Sequence, residues 1–477
     1  MKKLMKFNVL AIVIGAFALP APATAASLLE IYQQALQSDP QIHEAEARRL
    51  AALEAKPQAR SAYLPQLSLS SGYTMAEQAG PDFAQVDPPP APPVIVTATT
   101  ESDVFNWRFD LRQTIFSWDK IVNLKRADKT IARAEAVREA AQQDLIVRVA
   151  QRYFDVLAAE DRLTSIHADR TAIARRLEQA KQRFEVGLIA ITDVQESQAA
   201  YDQSVADEIS AKRSLATSRE FLREITGEYV TQLSAPKADF PLQRPAKSER
   251  EWVDMSISQN LNLVASRLDE KLARDEIAFR RSGHYPTLEL VANTGETDSA
   301  VTYSAGGVTT PSSDFTREDE SIGIQFNVPL FAGGGTTSRV REAVYLHRAS
   351  REQLQRVSRE TERQSRDAYL GVLAEESRVK ALKQAVASSR TALEATQAGF
   401  DVGTRTIVDV LNSQFALYAA ITNYERSRYD YILNVLRLKQ AAGTLQIQDL
   451  EEIDQWLVER QTPEEAFAEE EAAQSGS

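Results

Sequence analysis

The chain has 477 residues, a formal net charge of -12 and no cysteine. The acidic balance argues against a nucleic-acid partner, because phosphate binding needs a basic patch. The missing thiols exclude disulfides and lipid attachment at a processed N-terminal cysteine. Glycine and proline are scarce, at 18 each, while Ala, Gln, Arg and Glu are heavily used, so long helices are the first expectation.

In chain order, residues 1–25 read as an export signal: Lys2, Lys3 and Lys6 precede the apolar FNVLAIVIGAFAL and the small-residue site Ala23-Thr24-Ala25. A short helix is expected at 40–60, then strands at 66–76 and 104–115. They are separated by an exposed loop, 77–103, in which PPPAPP excludes regular structure. In the second strand Phe105, Trp107, Phe109 and Leu111 alternate with Asn106, Arg108, Asp110 and Arg112. Residues 119–186 contain neither Gly nor Pro and predict one helix roughly 100 Å long at 1.5 Å per residue. A helix at 191–226 follows the turn. Residues 229–258, with Pro236, Pro241 and Pro245, form an inter-repeat link. The pattern then recurs, with a helix at 259–283, strands at 286–296 and 320–330, a loop at 297–319, a long helix at 336–402 and a helix at 406–442. In the later strand Ile322, Ile324, Phe326 and Val328 alternate with Ser321, Gly323, Gln325 and Asn327. Residues 445–477 are the C-terminal segment, ending in an acidic tail whose composition favours disorder.

The recurrence is a duplication, with copies at 26–228 and 259–444. FEVGLIAITDVQESQ (184–198) matches FDVGTRTIVDVLNSQ (400–414) at an offset of 216, which places Phe184 on Phe400, Gly187 on Gly403, Asp193 on Asp409 and Gln198 on Gln414. SAYLPQLSLS (61–70) matches SGHYPTLELV (282–291). Each copy is thus a helix, a strand pair, a very long helix, a turn and a returning helix. After the export signal no stretch is apolar for 18 residues, so a membrane crossing must be a β-barrel. Ten or eleven alternating residues is the length and pattern of a barrel strand, with Phe105, Trp107, Phe109, Leu111, Ile322, Ile324 and Phe326 facing lipid; the alternative is an amphipathic hairpin packed on helices. Four strands cannot close a barrel, and open edges are not tolerated in lipid, so the barrel is shared between subunits.

No catalytic, cofactor or metal constellation is present. The four histidines lack ligand spacing, and Gly333-Gly334-Gly335 lacks the GK[ST] ending of a phosphate loop. The informative polar residues lie at the duplicated turns. Gly187 and Gly403 suit the left-handed position that ends a helix. Asp193 and Asp409 either favour the dipole at the start of the next helix or line an opening where hairpins converge. Arg405 has Ile189 as its counterpart, so generic capping does not explain it; Thr192 and Asp193 of a neighbouring turn are candidate partners.

These residues resemble the TolC family of outer-membrane efflux proteins. VGTRTIVDVLNSQ (402–414) is the most specific run, and the similarity extends from LLEIYQQALQSDPQI (28–42) to AAGTLQIQDL (441–450). The resemblance implies a homotrimer, mainly α, whose long antiparallel hairpins form a periplasmic α-barrel. Each subunit would add four strands to a 12-stranded β-barrel in outer-membrane lipid. It implies a passive channel, not an enzyme, serving drug efflux or type I protein secretion with a periplasmic adaptor and an inner-membrane pump of RND, ABC or MFS type. Adaptors would dock at the tips, around Val186, Gly187, Val402 and Gly403. Arg405, Thr192 and Asp193 would belong to a closing network, and Asp409 would form a ring of three acids at the aperture. Members can carry Tyr at Phe400 and Asp at Asn412, so closure here is expected to lean more on Arg405. A periplasmic adaptor, with one hairpin flanked by compact β domains, and a structural coiled-coil protein, without lipid-style strands, fit the pattern less well.

Overall fold

A computed structural model describes residues 25–84, 94–237, 240–460 and 463. Residues 1–24 of the export signal, PPPAPP (88–93) and nearly all of the acidic tail lie outside the described residues. The chain divides into two compact units, one built from Met1–His43, Ala140–Asn260 and Thr361–Ser477 and the other from Glu44–Glu139 and Leu261–Glu360.

Two helices dominate by length: α4 (Trp118–Glu185), of 68 residues, and α8 (Gly335–Asp401), of 67. The absence of Pro and near-absence of Gly leaves nothing to break them. Gly333 and Gly334, at φ +62° and +80°, make the turn into α8. The returning helices are α5 (Ile191–Thr226) and α9 (Ile407–Ala441).

The short helices are more divided than the sequence suggests. The stretch expected as one helix at 40–60 is α2 (Pro40–Leu53) and α3 (Ala55–Ser61), preceded by α1 (Leu28–Ser38). Asp39 separates α1 from α2 in an extended conformation, φ -68° and ψ 118°. Pro40 explains the break, because the residue before proline is driven out of the α region while proline suits the first helical position. The second copy repeats the pattern with α6 (Glu249–Gln259) and α7 (Leu261–Arg281), separated by non-helical Asn260 at φ -57° and ψ 122°. Here no proline is present; the Asn260 amide instead donates to the Ala441 carbonyl at 3.0 Å. Ser27/Glu30 caps α1 and Ser248/Glu251 caps α6 by the same reciprocal capping box. The copies therefore correspond inside the stretch 229–258 read from sequence as a link.

The first unit holds the main core. Leu145–Leu163 of α4 packs against α1 and the later turns of α5 and α9. Phe154 stacks on Tyr429 at 5.4 Å between ring centroids. A belt closes around this core: β3 (Ala235–Pro236) pairs with β7 (Leu457–Val458), beside α10 (Ile447–Asp454). The buried Tyr153 hydroxyl donates to the Ser234 carbonyl at 2.5 Å, and the Tyr429 hydroxyl to Asp161 at 2.6 Å. Arg460 reaches the same Asp161 at 2.5 Å.

The second unit carries one antiparallel sheet in the order β1 (Gln66–Ala84), β2 (Val94–Phe116), β4 (Thr287–Ala305), β6 (Ser313–Asn327), with the two-residue β5 (Val308–Thr309) on β4. Strand pairs from the two copies thus join in one sheet, and β1 and β6 are open edges among the described residues. Register places Leu67 opposite Leu111, Leu69 opposite Phe109 and Tyr73 opposite Phe105 on one face. Ala292 opposite Ile322, Leu290 opposite Ile324 and Leu288 opposite Phe326 continue that face. Ile322, Ile324 and Phe326 are 78, 67 and 65% exposed, a contiguous apolar surface that water does not favour. The opposite face is polar, and there Arg112 Nε approaches Glu289 at 3.9 Å.

The strands outrun their sequence limits. Residues 77–84 and 94–103 belong to β1 and β2, and most of 297–319 belongs to β4 and β6, so both expected loops are shorter. Val328, counted in the alternating run, lies past the end of β6. Apolar alternation marks only part of each strand's length. Beyond it the same outward face carries Glu101, Asp103, Glu296, Asp298, Glu318 and Glu320, with Glu296 directly opposite Glu318. Backbone pairing continues where the surface turns acidic. The apolar band also steps along the register, since Phe105 on β2 faces Asp298 on β4.

Candidate functional site: the hairpin tips

Both tips use one turn design. Gly187 and Gly403 take φ +75° and +79°, the left-handed position that glycine occupies without a Cβ penalty. The Leu188 N–H donates to the Arg183 carbonyl and the Thr404 N–H to the Gly399 carbonyl, each at 2.8 Å. These six-to-one bonds satisfy carbonyls left over at the helix ends. Val186 and Val402, beside the glycines, are 69 and 76% exposed.

The tips diverge in capping three residues after the glycines. Thr406 caps α9. Its N–H and hydroxyl both donate to Asp409 Oδ2 at 2.9 Å, and the Asp409 N–H returns a bond to the Thr406 hydroxyl. Chiefly these Thr406 hydrogen bonds, backbone first, and then the Arg405 charge hold the Asp409 carboxyl below the usual carboxylate range. At the corresponding position of the first tip stands Ala190, which caps α5 without a side-chain bond. Asp193 consequently has no capping partner. It lines a cavity of about 20 Å³ with Arg176, Gln179, Ala180, Arg183, Ile189, Phe400 and Ile407, a space of about one water molecule.

Of the residues singled out by sequence, the fold of one chain therefore brings together Asp193 and Phe400. Thr192, Arg405 and Asn412 are exposed. Arg405 has no ion pair with a carboxylate among the described residues. Its side chain lies back over the end of α8, where a Cβ on Gly399 would meet Arg405 Cγ at 2.8 Å.

Two features escaped the sequence reading. The Arg183 guanidinium stands over the Phe400 ring at 4.9 Å, joining the last turn of α4 to that of α8. Further from the tips, the buried Gln414 amide donates to Asp169 Oδ1 at 2.6 Å and to the Asp169 carbonyl at 3.2 Å. Burial raises the Asp169 carboxyl while the Gln414 bond opposes the shift. Gln198, the sequence counterpart of Gln414, instead reaches Asp202 on its own helix at 3.0 Å. Motif matching found the equalities between copies; a signal for both contacts lay in the inequalities, such as Arg183 aligned on Gly399.

Among the described residues no helix is long and apolar enough to cross a membrane, and no three His, Cys, Asp or Glu side chains gather as a metal site. The comparisons agree with a channel architecture. The outer membrane efflux protein family matches residues 31–228 and 252–444. Outer membrane protein TolC of Vibrio cholerae is 39% identical over 435 residues, 90% of this chain and 93% of that protein. Alkaline protease secretion protein AprF of Pseudomonas aeruginosa is 29% identical over 451 residues, 92% of this chain and 89% of that protein. The crystal structure of the Campylobacter jejuni CmeC outer membrane channel superposes with a TM-score of 0.69 at 14% identity, covering 96% of this chain and 98% of that one. With a duplicated hairpin, an outward apolar sheet face and family matches in both copies, this chain belongs to the outer membrane efflux protein family and is an outer-membrane efflux or secretion channel.

Proposed function

We propose that three copies of this chain close the open-edged sheet into one 12-stranded barrel and their hairpins into a tunnel reaching through the periplasm. The observation that carries this reading is a sheet of four long strands with an exposed apolar face and two edges unpaired among the described residues. In lipid such edges need partners, and identical neighbours supply them by rotational symmetry. The duct is passive. An inner-membrane pump, of RND, ABC or MFS type, supplies the energy through an adaptor that docks on Val186, Gly187, Val402 and Gly403.

The tips form the gate in this reading. Arg405 extends from its bed on Gly399 to Thr192 and Asp193 of the neighbouring subunit's first tip. That subunit's Asp193 is a fitting acceptor, since no capping hydrogen bond engages it at the start of its own helix. Three Asp409 carboxylates ring the aperture, with Asn412 one turn above each and Phe400 behind. Adaptor binding replaces the contacts between tips and biases a two-state opening. Detergent-extracted protein is expected to run as a trimer, and Arg405→Ala to raise its conductance in planar bilayers. A monomer without channel activity overturns the assembly, and an unchanged Arg405→Ala trace overturns the gate. Gene deletion scored for both drug sensitivity and secreted proteins assigns the cargo.

A further inference from the structure

We propose that Arg183 is a second closing residue of the tips, fastening the first hairpin to the second inside each subunit through its stack on Phe400. The inference rests on the tips being the gate, and it assigns a role that the closing network around Arg405 does not contain.

The two tips have exchanged an arginine. At the offset of 216 that aligns Gly187 with Gly403, the first tip has Arg183 on the helix end and Ile189 in the turn, whereas the second has Gly399 and Arg405. In the single chain, sterics oppose an arginine at both positions of the second tip. The Arg405 side chain occupies the space over Gly399, where a Cβ would lie 2.8 Å from Arg405 Cγ and 3.2 Å from Thr404 Oγ1. A second tip with an arginine at both positions has no room for Arg405 in this pose. The first tip, with only Ile189 in its turn, leaves its helix-end cation free to point across to the other hairpin. There Arg183 meets the face of Phe400 at 4.9 Å, within the range where a guanidinium is attracted to a ring quadrupole.

The surroundings add to the contact. Arg183 and Phe400 both line the small cavity that also holds Asp193, Arg176 and Ile407, drawn from both hairpins. Arg183 and Phe400 are half-buried, so the cation–ring contact is less screened than on an open surface. An arginine whose only work is to favour the C-terminal end of a helix dipole is indifferent to what stands at position 400. The stack makes the two positions interdependent, and that interdependence is the readout.

The test is planar-bilayer conductance of the full-length trimer, with Arg405→Ala as reference. Arg183→Leu and Phe400→Leu are each expected to shift the closed-to-open balance toward open by about threefold to tenfold, the range such contacts carry. The double variant is expected to open no further than either single one, because the two substitutions remove one contact. Phe400→Trp, with a stronger ring quadrupole, is expected to open less often than the wild type. If Arg183→Leu fails to trimerise, Phe400→Leu and Phe400→Trp carry the test. A wild-type trace for Phe400→Leu, or for Arg183→Leu, beside an opened Arg405→Ala overturns the proposal and leaves the gate reading standing. Additive opening in the double variant also overturns it. Wild-type traces for all variants, Arg405→Ala included, overturn the gate reading together with the proposal.

Discussion

Glu208 sits almost fully buried between α4 and α5, 2% exposed, with Arg170 at 2.6 Å, Lys212 at 2.8 Å and His167 at 3.5 Å. Burial alone pushes its carboxyl up, but the Lys212 and Arg170 hydrogen bonds and charges hold it at about 2, from the usual 4.5. A folded value below the unfolded one stabilises the fold above about pH 4.5, and the contribution is lost as pH falls toward 2. Glu208→Gln is therefore expected to lower the thermal midpoint at pH 7 and to converge with the wild type near pH 2. A constant gap across that window contradicts the assignment. The glycines make a second residue-scale prediction. Gly443, at φ +71°, has Gln259 O 2.4 Å from where a Cβ would stand, whereas Gly403, at φ +79°, has open space. Gly403→Ala pays only the left-handed penalty of about 1–2 kcal/mol. Gly443→Ala adds a clash with backbone and is expected to unfold at a distinctly lower temperature. The left-handed glycines of the tips were legible in the sequence because conformation is a local property. Arg183 over Phe400 was not, because it depends on which helix ends meet.

At the scale of elements, helices without breakers declared themselves, and α4 and α8 fall within one residue of their sequence limits. The short helices were less legible: Asp39-Pro40 carries a local signal for its break, whereas the break at Asn260 has no proline, and the Asn260 side chain bonds to Ala441, distant in sequence. The strands were legible only where lipid imposes alternation; outward acids such as Glu296 and Glu318 hid the remainder, which backbone pairing holds. That division is testable. Ile324→Arg, on the apolar face, is expected to cost about 2–4 kcal/mol of membrane stability, read as lost assembly of folded barrel in lipid vesicles. Gln325→Arg, one residue away on the polar face, is expected to assemble normally. Equal loss from both variants contradicts the orientation of the sheet.

At the scale of the whole molecule, duplication supplied two hairpins and divergence gave them different work. Asp409 is committed to its own cap while Asp193 is not, and Gln414 ties to Asp169 across hairpins while Gln198 stays on its helix. Such asymmetry suits a ring in which each subunit presents two unlike tips to its neighbours. In the proposed assembly the path through the molecule passes between those tips, and the cysteine-free chain allows a direct test. Asp409→Cys, placed in an Arg405→Ala background and reconstituted in planar bilayers, is treated with a bulky thiol reagent on the tip side. The open current is expected to collapse on modification and to recover on reduction of the mixed disulfide. A current unaffected by complete modification contradicts that path.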